Sequence, residues 1–271
     1  MVASRYAVEQ VGPLTLALLR YAIGVLFLLP LLAMTPRKRF AGRDLAPVAA
    51  LGIGQFAVLV ALLNFALRHV SSGRAALLFA TFPLMTLALA AALGREPMTA
   101  RKLAGVTLTV VGVGFTLGEG VLGGGFGADQ WVGIALALAS ALVGAVCAVL
   151  YRPYLVRYPT VQVSTFAMAA SVAFLLALAW HEPSFGQWSR IDARAWSAVV
   201  FVGLSSGVGY LLWLFALRHL PPTRVTVFLA LSPLTASAVG AVALGEPVTH
   251  GVMAGGAFVA LGLWFALWQR R

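Results

Sequence analysis

Phe65-Ala66-Leu67-Arg68-His69 occurs twice: 150 positions later the chain reads Phe215-Ala216-Leu217-Arg218-His219. Carried forward without a gap, Arg74 falls on Arg224, Pro83-Leu84 on Pro233-Leu234, Glu96-Pro97 on Glu246-Pro247 and Thr99 on Thr249. Fourteen of the 35 positions from 65 to 99 match their partners, charged residues and prolines among them, which shared apolar composition does not produce. Each copy reads as an apolar helix end, a basic turn, an apolar helix containing a proline, and a Glu-Pro turn. The rest of the chain is therefore read as two halves built around these copies.

Of the 271 residues, 61% are hydrophobic and 10% charged, against roughly 45–50% and about 25% in a soluble domain. This composition belongs to an integral membrane protein. The net charge of +11 is read as loop charge that sets topology, and no nucleic-acid partner is expected. The single cysteine, Cys147, lies in an apolar run and allows neither a disulfide framework nor a cysteine metal site. The only lysines, Lys38 and Lys102, fall in loops, so a Schiff base on a buried lysine is excluded.

A spanning helix needs about 20 mostly apolar residues. Residues 1–12 are too few and too polar. Spans are expected at 13–34, 45–67, 75–93 and 103–117, then, after a Gly-rich connection over 118–130, at 131–151, 161–180, 196–217, 225–244 and 252–268. The first repeat is placed at 1–117, a flexible linker at 118–130 and the second repeat at 131–268. The 150-residue offset leaves the 131–151 helix without a partner, which would lie before Met1. The visible chain then lacks most of a first helix, with 1–10 as its tail; the alternative is a nine-span protein with an external N-terminus.

Five spans per half is an odd number, so the halves enter the membrane in opposite orientations. With the C-terminus cytoplasmic, thirteen Lys/Arg fall inside, five outside, and Arg20 within the first span. That bias agrees with the positive-inside rule. The expected fold is an all-α membrane protein of two inverted five-helix repeats, with nine of ten spans visible. Such repeats commonly hold a substrate site near the bilayer midplane.

The two copies, Pro83, Glu96-Pro97, Gly105 and Gly112 in one and Pro233, Glu246-Pro247, Gly255 and Gly262 in the other, resemble the EamA-type domain of the drug/metabolite transporter superfamily. The resemblance covers nearly the whole chain. It implies ten helices, a central cavity, alternating access, and export of amino acids or other small metabolites across the bacterial inner membrane. Efflux of cationic drugs is the alternative, disfavoured by the lack of a visible acidic cavity. The expected partners are a small-molecule substrate and the lipid bilayer, for a monomer or homodimer, with no cofactor or metal.

Pro83 and Pro233 each remove a backbone donor inside an apolar helix and release the carbonyl four residues back, Phe79 or Leu229. Those carbonyls either face a wet cavity or find a neighbouring helix. Arg20, about 10 Å along its helix from Pro13, either holds a substrate carboxylate or helix end, or snorkels to the headgroups. The other polar candidates within spans are Gln55, Asn64, Thr81, Ser140, Ser205, Ser206, Tyr210, Trp213 and Ser232. Ser206, Tyr210 and Trp213 share a helical face, which suits a zwitterionic or aromatic ligand but equally suits packing.

Arg68 and Arg74 with Glu246 on the outer side, and Arg218 and Arg224 with Glu96 on the inner side, are candidate reciprocal gates. The alternative is that each Glu-Pro only shapes a turn and starts the next helix. The stripe Gly251, Gly255, Gly105 and Gly112 allows close helix packing, within the chain or in a dimer.

No carboxylate lies deep in a visible span. Coupling therefore uses a residue on the missing helix, Arg20 or the His69/His219 pair, or the protein is a uniporter. The histidines, His69, His181, His219 and His250, sit at helix ends or in loops, so an intramembrane enzyme has no cluster to work with. A non-transporting scaffold or sensor is the remaining class, and the inverted repeat argues against it.

Overall fold

The computed structural model describes residues 2–36, 38–95, 99–122, 127–183, 185–187, 189, 191–226, 229, 235, 238–239, 241–242, 245 and 250–267; the described residues form helices and short connections, with no strand among them. In chain order the helices are α1 (Val2–Val11), α2 (Pro13–Met34), α3 (Gly42–Gly52), a π-helical segment (Ile53–Val58), α4 (Leu59–His69), α5 (Ser72–Phe79), α6 (Phe82–Ala92), α7 (Ala100–Leu122), α8 (Ala128–Arg157), α9 (Thr160–Ala179), α10 (Ala193–His219), α11 (Pro222–Thr226) and α12 (His250–Leu267).

Six stretches among the described residues are long and apolar enough to cross a bilayer: Pro13–Met34, Gly42–His69, Ser72–Ala92, Ala128–Arg157, Thr160–Ala179 and Ala193–His219. The protein is thus a multi-pass membrane protein. Several helices overrun their expected apolar cores by a turn or more, because a helix does not stop at the hydrocarbon boundary. The expected span at 225–244 lies mostly outside the described residues. The Gly-rich connection is shorter than expected, since α7 runs to Leu122 and α8 starts at Ala128.

Two helices are interrupted. The expected kinked helix over 75–93 is two helices, α5 and α6, separated at Ala80-Thr81. Pro83 therefore sits in the first turn of α6, where a missing N–H breaks no helical bond. The Thr81 hydroxyl donates to the Leu78 carbonyl at 2.7 Å, and the Thr81 carbonyl accepts from Leu84 and Met85 N–H at 3.0 Å each. The second interruption is the π-helical segment, where Leu59 N–H bonds to the Gly54 carbonyl five residues back. It follows Gly52 directly, and a Cβ at Gly52 would lie 2.3 Å from the carbonyl oxygen of Ala167 on α9.

The chain divides into two compact units. One comprises Ala3–Asn64 and Leu150–Leu220, and the other Met1–Val2, Phe65–Val149 and Pro221–Arg271. Each draws on both sequence halves.

In the first unit, α2 packs against α9 and α10, and α3 against α9. One end of this unit is tied by carboxylates. Glu182 accepts from Leu14 N–H (3.1 Å), Thr15 N–H (2.7 Å) and the Thr15 hydroxyl (2.6 Å), capping α2 from across the fold. Asp192 caps its own helix α10 through Ala195 N–H at 2.5 Å and accepts from Gln10 Nε2 of α1 at 2.8 Å. At ten residues α1 spans only about 15 Å, and it buries Ala7, Val8 and Val11 with Leu16, Ala195 and Val199. At the other end, Asp44 pairs with Arg157 at 2.6 Å and accepts from the Tyr158 hydroxyl at 2.6 Å. Lys38 N–H donates to Gln162 Oε1 at 3.0 Å nearby.

In the second unit, α7 lies against α12. A Cβ at Gly112 would come 2.7 Å from the Gly255 carbonyl oxygen, and one at Gly262 2.6 Å from that of Gly105. The small-residue stripe is thus spent on packing within the chain. A separate core joins Ala66, Leu67, Val70, Ala75 and Leu78 to Ile134 and Ala137 of α8.

Gly52→Ala forces backbone against backbone and should cost about 1–3 kcal/mol, read as a lower melting temperature in detergent. Gly42→Ala, where a Cβ meets nothing within 4 Å, should leave it unchanged. The bonds from Gln10 and Ala195 hold the Asp192 carboxyl below its ordinary range. The stabilisation they provide is present above the ordinary pKa and lost as pH falls through the lowered one. Wild-type melting should therefore drop between about pH 5 and pH 3, and Asp192→Asn should flatten that part of the profile.

Candidate functional site

Within the first unit, α2, the π-helical segment and α10 bring together side chains far apart in sequence. Arg20 and Tyr21 are consecutive on α2, so their side chains leave the helix about a quarter-turn apart. Both are met by α10. Arg20 Nε donates to Ser206 Oγ at 2.5 Å, and Ser206 in turn donates to the Val202 carbonyl at 2.6 Å. One turn further along α10, the Tyr21 and Tyr210 hydroxyls are 3.2 Å apart.

The π-helical segment adds Phe56. Its ring lies 4.7 Å from Tyr210, edge to face, and 5.3 Å from Tyr21, while the two tyrosine rings are 5.7 Å apart. These three aromatics form a closed triangle. Tyr21 and Phe56 are fully buried, and Tyr210 is half-buried. The Arg20 guanidinium carbon lies 5.5 Å from the Tyr21 ring centroid.

The close approach of α2 and α10 makes these contacts possible. A Cβ at Gly24 would sit 3.6 Å from Gly207 Cα and 3.6 Å from Met168 Sδ of α9; one at Gly207 would sit 3.3 Å from Gly24 Cα. Two glycines facing each other let the backbones approach until long side chains a turn away must interlock.

Chemically, the cluster offers one permanent cation and three aromatic rings. A guanidinium has five N–H donors. Among the described residues only the Nε donor of Arg20 is engaged by protein, which leaves the terminal fork for a planar anion such as a carboxylate. Of the three rings only Tyr210 keeps exposed surface, since Tyr21 and Phe56 are fully buried.

The other sequence candidates are placed as follows. Gln55 is buried on the π-helical segment beside Phe56. Asn64 is buried and donates through Nδ2 to the Pro13 carbonyl at 3.0 Å, tying α4 to the start of α2. Ser205 is exposed, on a different side of α10 from Ser206. Trp213 is half-buried further along α10. Phe79, Thr81, Pro83 and Ser140 belong to the second unit. There Phe79 and Phe82 have ring centroids 5.4 Å apart, and Ser140 is fully buried on α8.

Arg68 is exposed at the end of α4; Arg74 is half-buried in the first turn of α5 and Arg218 at the end of α10. Glu96, Ser232, Pro233, Glu246 and the side chain of Arg224 lie outside the described residues, and with them the carboxylate of each candidate gate. Tyr21, Phe56 and Glu182 were not singled out by sequence. The first two neighbour Arg20 and Gln55, the only available signal, and Glu182 is one of only eight acidic residues in the chain.

Comparison with known proteins bears on this arrangement. The model of the EamA-like transporter family matches residues 1–118 and again residues 131–268. An uncharacterized transporter of Archaeoglobus fulgidus is 28% identical over 270 residues, covering 99% of this chain and 93% of the relative. A probable terminal-alkyne amino-acid exporter of Streptantibioticus cattleyicolor is 31% identical over 230 residues, 83% of this chain and 74% of that protein. A solved crystal structure superposes with a TM-score of 0.75 at 23% identity, covering 98% of this chain and 94% of its own, so the same fold occurs in it.

If Arg20 and Ser206 act as a pair, Ser206→Ala and Arg20→Gln should each lower thermal stability. The double variant should cost little more than either alone, a coupling of about 1–2 kcal/mol in the cycle.

Proposed function

This chain belongs to the EamA-like transporter family, and we propose that it is a secondary-active carrier that exports amino acids or closely related small metabolites. It works by alternating access between two inverted repeats, in the bacterial cytoplasmic membrane with its C-terminus inside. The observation that carries the substrate reading is the guanidinium of Arg20, held through Nε to Ser206 and lying 5.5 Å from the Tyr21 ring, with no further protein partner among the described residues. A cation within a spanning helix, here half-buried, is retained where it has work to do. A fixed cation next to aromatic surface suits a ligand with a carboxylate and an apolar body. The relative named as a probable amino-acid exporter supports the same class.

Helix directions inside the first unit support the inversion. Along α2 and α9, which correspond under the 150-residue offset, Thr15 meets Glu182, Gly24 lies by Met168 and Lys38 binds Gln162, so one number rises as the other falls. Along α2 and α10, Ile23 lies at Gly203 and Phe27 at Gly207, so the numbers rise together. Helices equivalent in sequence thus run antiparallel, as repeats inserted in opposite senses require.

Counterflow of labelled neutral amino acids into proteoliposomes tests the reading. Saturable exchange is expected, lowered about tenfold or more by Arg20→Gln. Uptake of organic cations with no exchange of any amino acid would replace it with cationic-drug efflux.

A further inference from the structure

Gln55 retains 2% of its surface, and its side-chain oxygen Oε1 meets no hydrogen-bond donor among the described residues. A buried amide acceptor left unpaired is costly, and native proteins rarely keep one without a use. Thr160 and Ser164 on α9 also carry buried oxygens without a partner, but a helical hydroxyl can turn toward the carbonyl one turn back. Gln55 is the case that asks for a ligand.

Its placement says which one. Gln55 is the third residue of the π-helical segment, a widened turn of the kind that concentrates at functional sites. The next residue, Phe56, makes the aromatic triangle with Tyr21 and Tyr210. Tyr21 adjoins Arg20, whose terminal nitrogens meet no protein acceptor among the described residues. The acceptor thus adjoins, along the chain, one ring of a cluster that contacts a fixed positive charge, and no carboxylate contacts Arg20, Tyr21 or Tyr210 among the described residues.

We infer that Gln55 accepts a hydrogen bond from the ammonium group of the transported amino acid at the edge of the Tyr21–Phe56–Tyr210 cluster, where the Tyr210 ring keeps exposed surface, and that Arg20 takes its carboxylate. This rests on the amino-acid reading above and narrows it. A neutral acceptor and the half-buried Tyr210 ring recognise an ammonium without a counter-charge, while Arg20 repels any cation that brings no carboxylate. The substrates are α-amino acids with a free amino group and an uncharged side chain. N-acylated amino acids, des-amino acids and diamines are handled more weakly.

The test compares Gln55→Leu and Gln55→Glu with wild type in proteoliposomes, using a neutral amino acid and the des-amino carboxylate bearing the same side chain, with the melting temperature of each variant. Leucine fills the same space without an orphaned acceptor. It should raise KM for the amino acid about tenfold, erase the preference over the des-amino acid, and leave melting unchanged or higher. Glutamic acid keeps an acceptor whether neutral or ionised and should stay within about threefold of wild-type KM.

Wild-type KM for the amino acid in Gln55→Leu overturns the assignment, as does equal loss of both substrates. So does a lowered melting temperature in Gln55→Leu, which would make Gln55 a structural residue. A wild type that moves no amino acid fails the carrier reading itself, whereas an active wild type with an unaffected Gln55→Leu fails only the role given to Gln55.

Discussion

In hydrocarbon there is no water to satisfy a backbone amide, so the chain must bond every N–H and C=O to itself. This constraint explains why the described spanning segments are helical, and it makes each interruption informative. Between α3 and α4 the bonding shifts to five residues back, with Leu59 N–H on the Gly54 carbonyl. Between α5 and α6 the Thr81 hydroxyl takes up the Leu78 carbonyl, and the Thr81 carbonyl serves two amides of the next helix. Both breaks are repaired within the same stretch of chain. The first break also carries Gln55 and Phe56, so the irregular backbone and the candidate site coincide.

Helix association in lipid has little hydrophobic drive and relies on close contact. Glycine supplies it here. Gly52 brings α3 onto the Ala167 backbone, and Gly24 and Gly207 bring α2 onto α10. In the other unit Gly112 and Gly262 do the same for α7 and α12. In the first unit this packing has a chemical consequence. With the backbones so close, Arg20 and Tyr21 reach Ser206 and Tyr210 directly, and an aromatic triangle closes around residues from three segments.

The chain has 19 basic residues and eight acidic ones, and three of the acids act as fasteners at the ends of one unit. Glu182 caps α2, Asp192 caps α10 and receives α1, and Asp44 holds Arg157 and Tyr158. Each satisfies backbone or cationic groups where helices emerge. Most of the described basic residues lie near helix ends or in connections, where positive charge bears on orientation.

The sequence alone determined that this is a helical membrane protein, where most spans lie, and that its halves share an ancestral unit. Lipid imposes long apolar runs that read directly from composition, and the repeated Arg, Pro and Glu-Pro landmarks need no contacts to be seen. It also picked out Arg20, Gln55, Ser206 and Tyr210 individually, since polar groups are rare at such positions. Only the tertiary structure decided how they combine. The partner of Arg20 is 186 residues away, that of Tyr21 is 189, and the donors to Glu182 are 167 and 168. No helical period relates residues on different helices. Their meeting depends on how closely two backbones can approach, and on a single π-helical turn that shifts every later side chain around its axis.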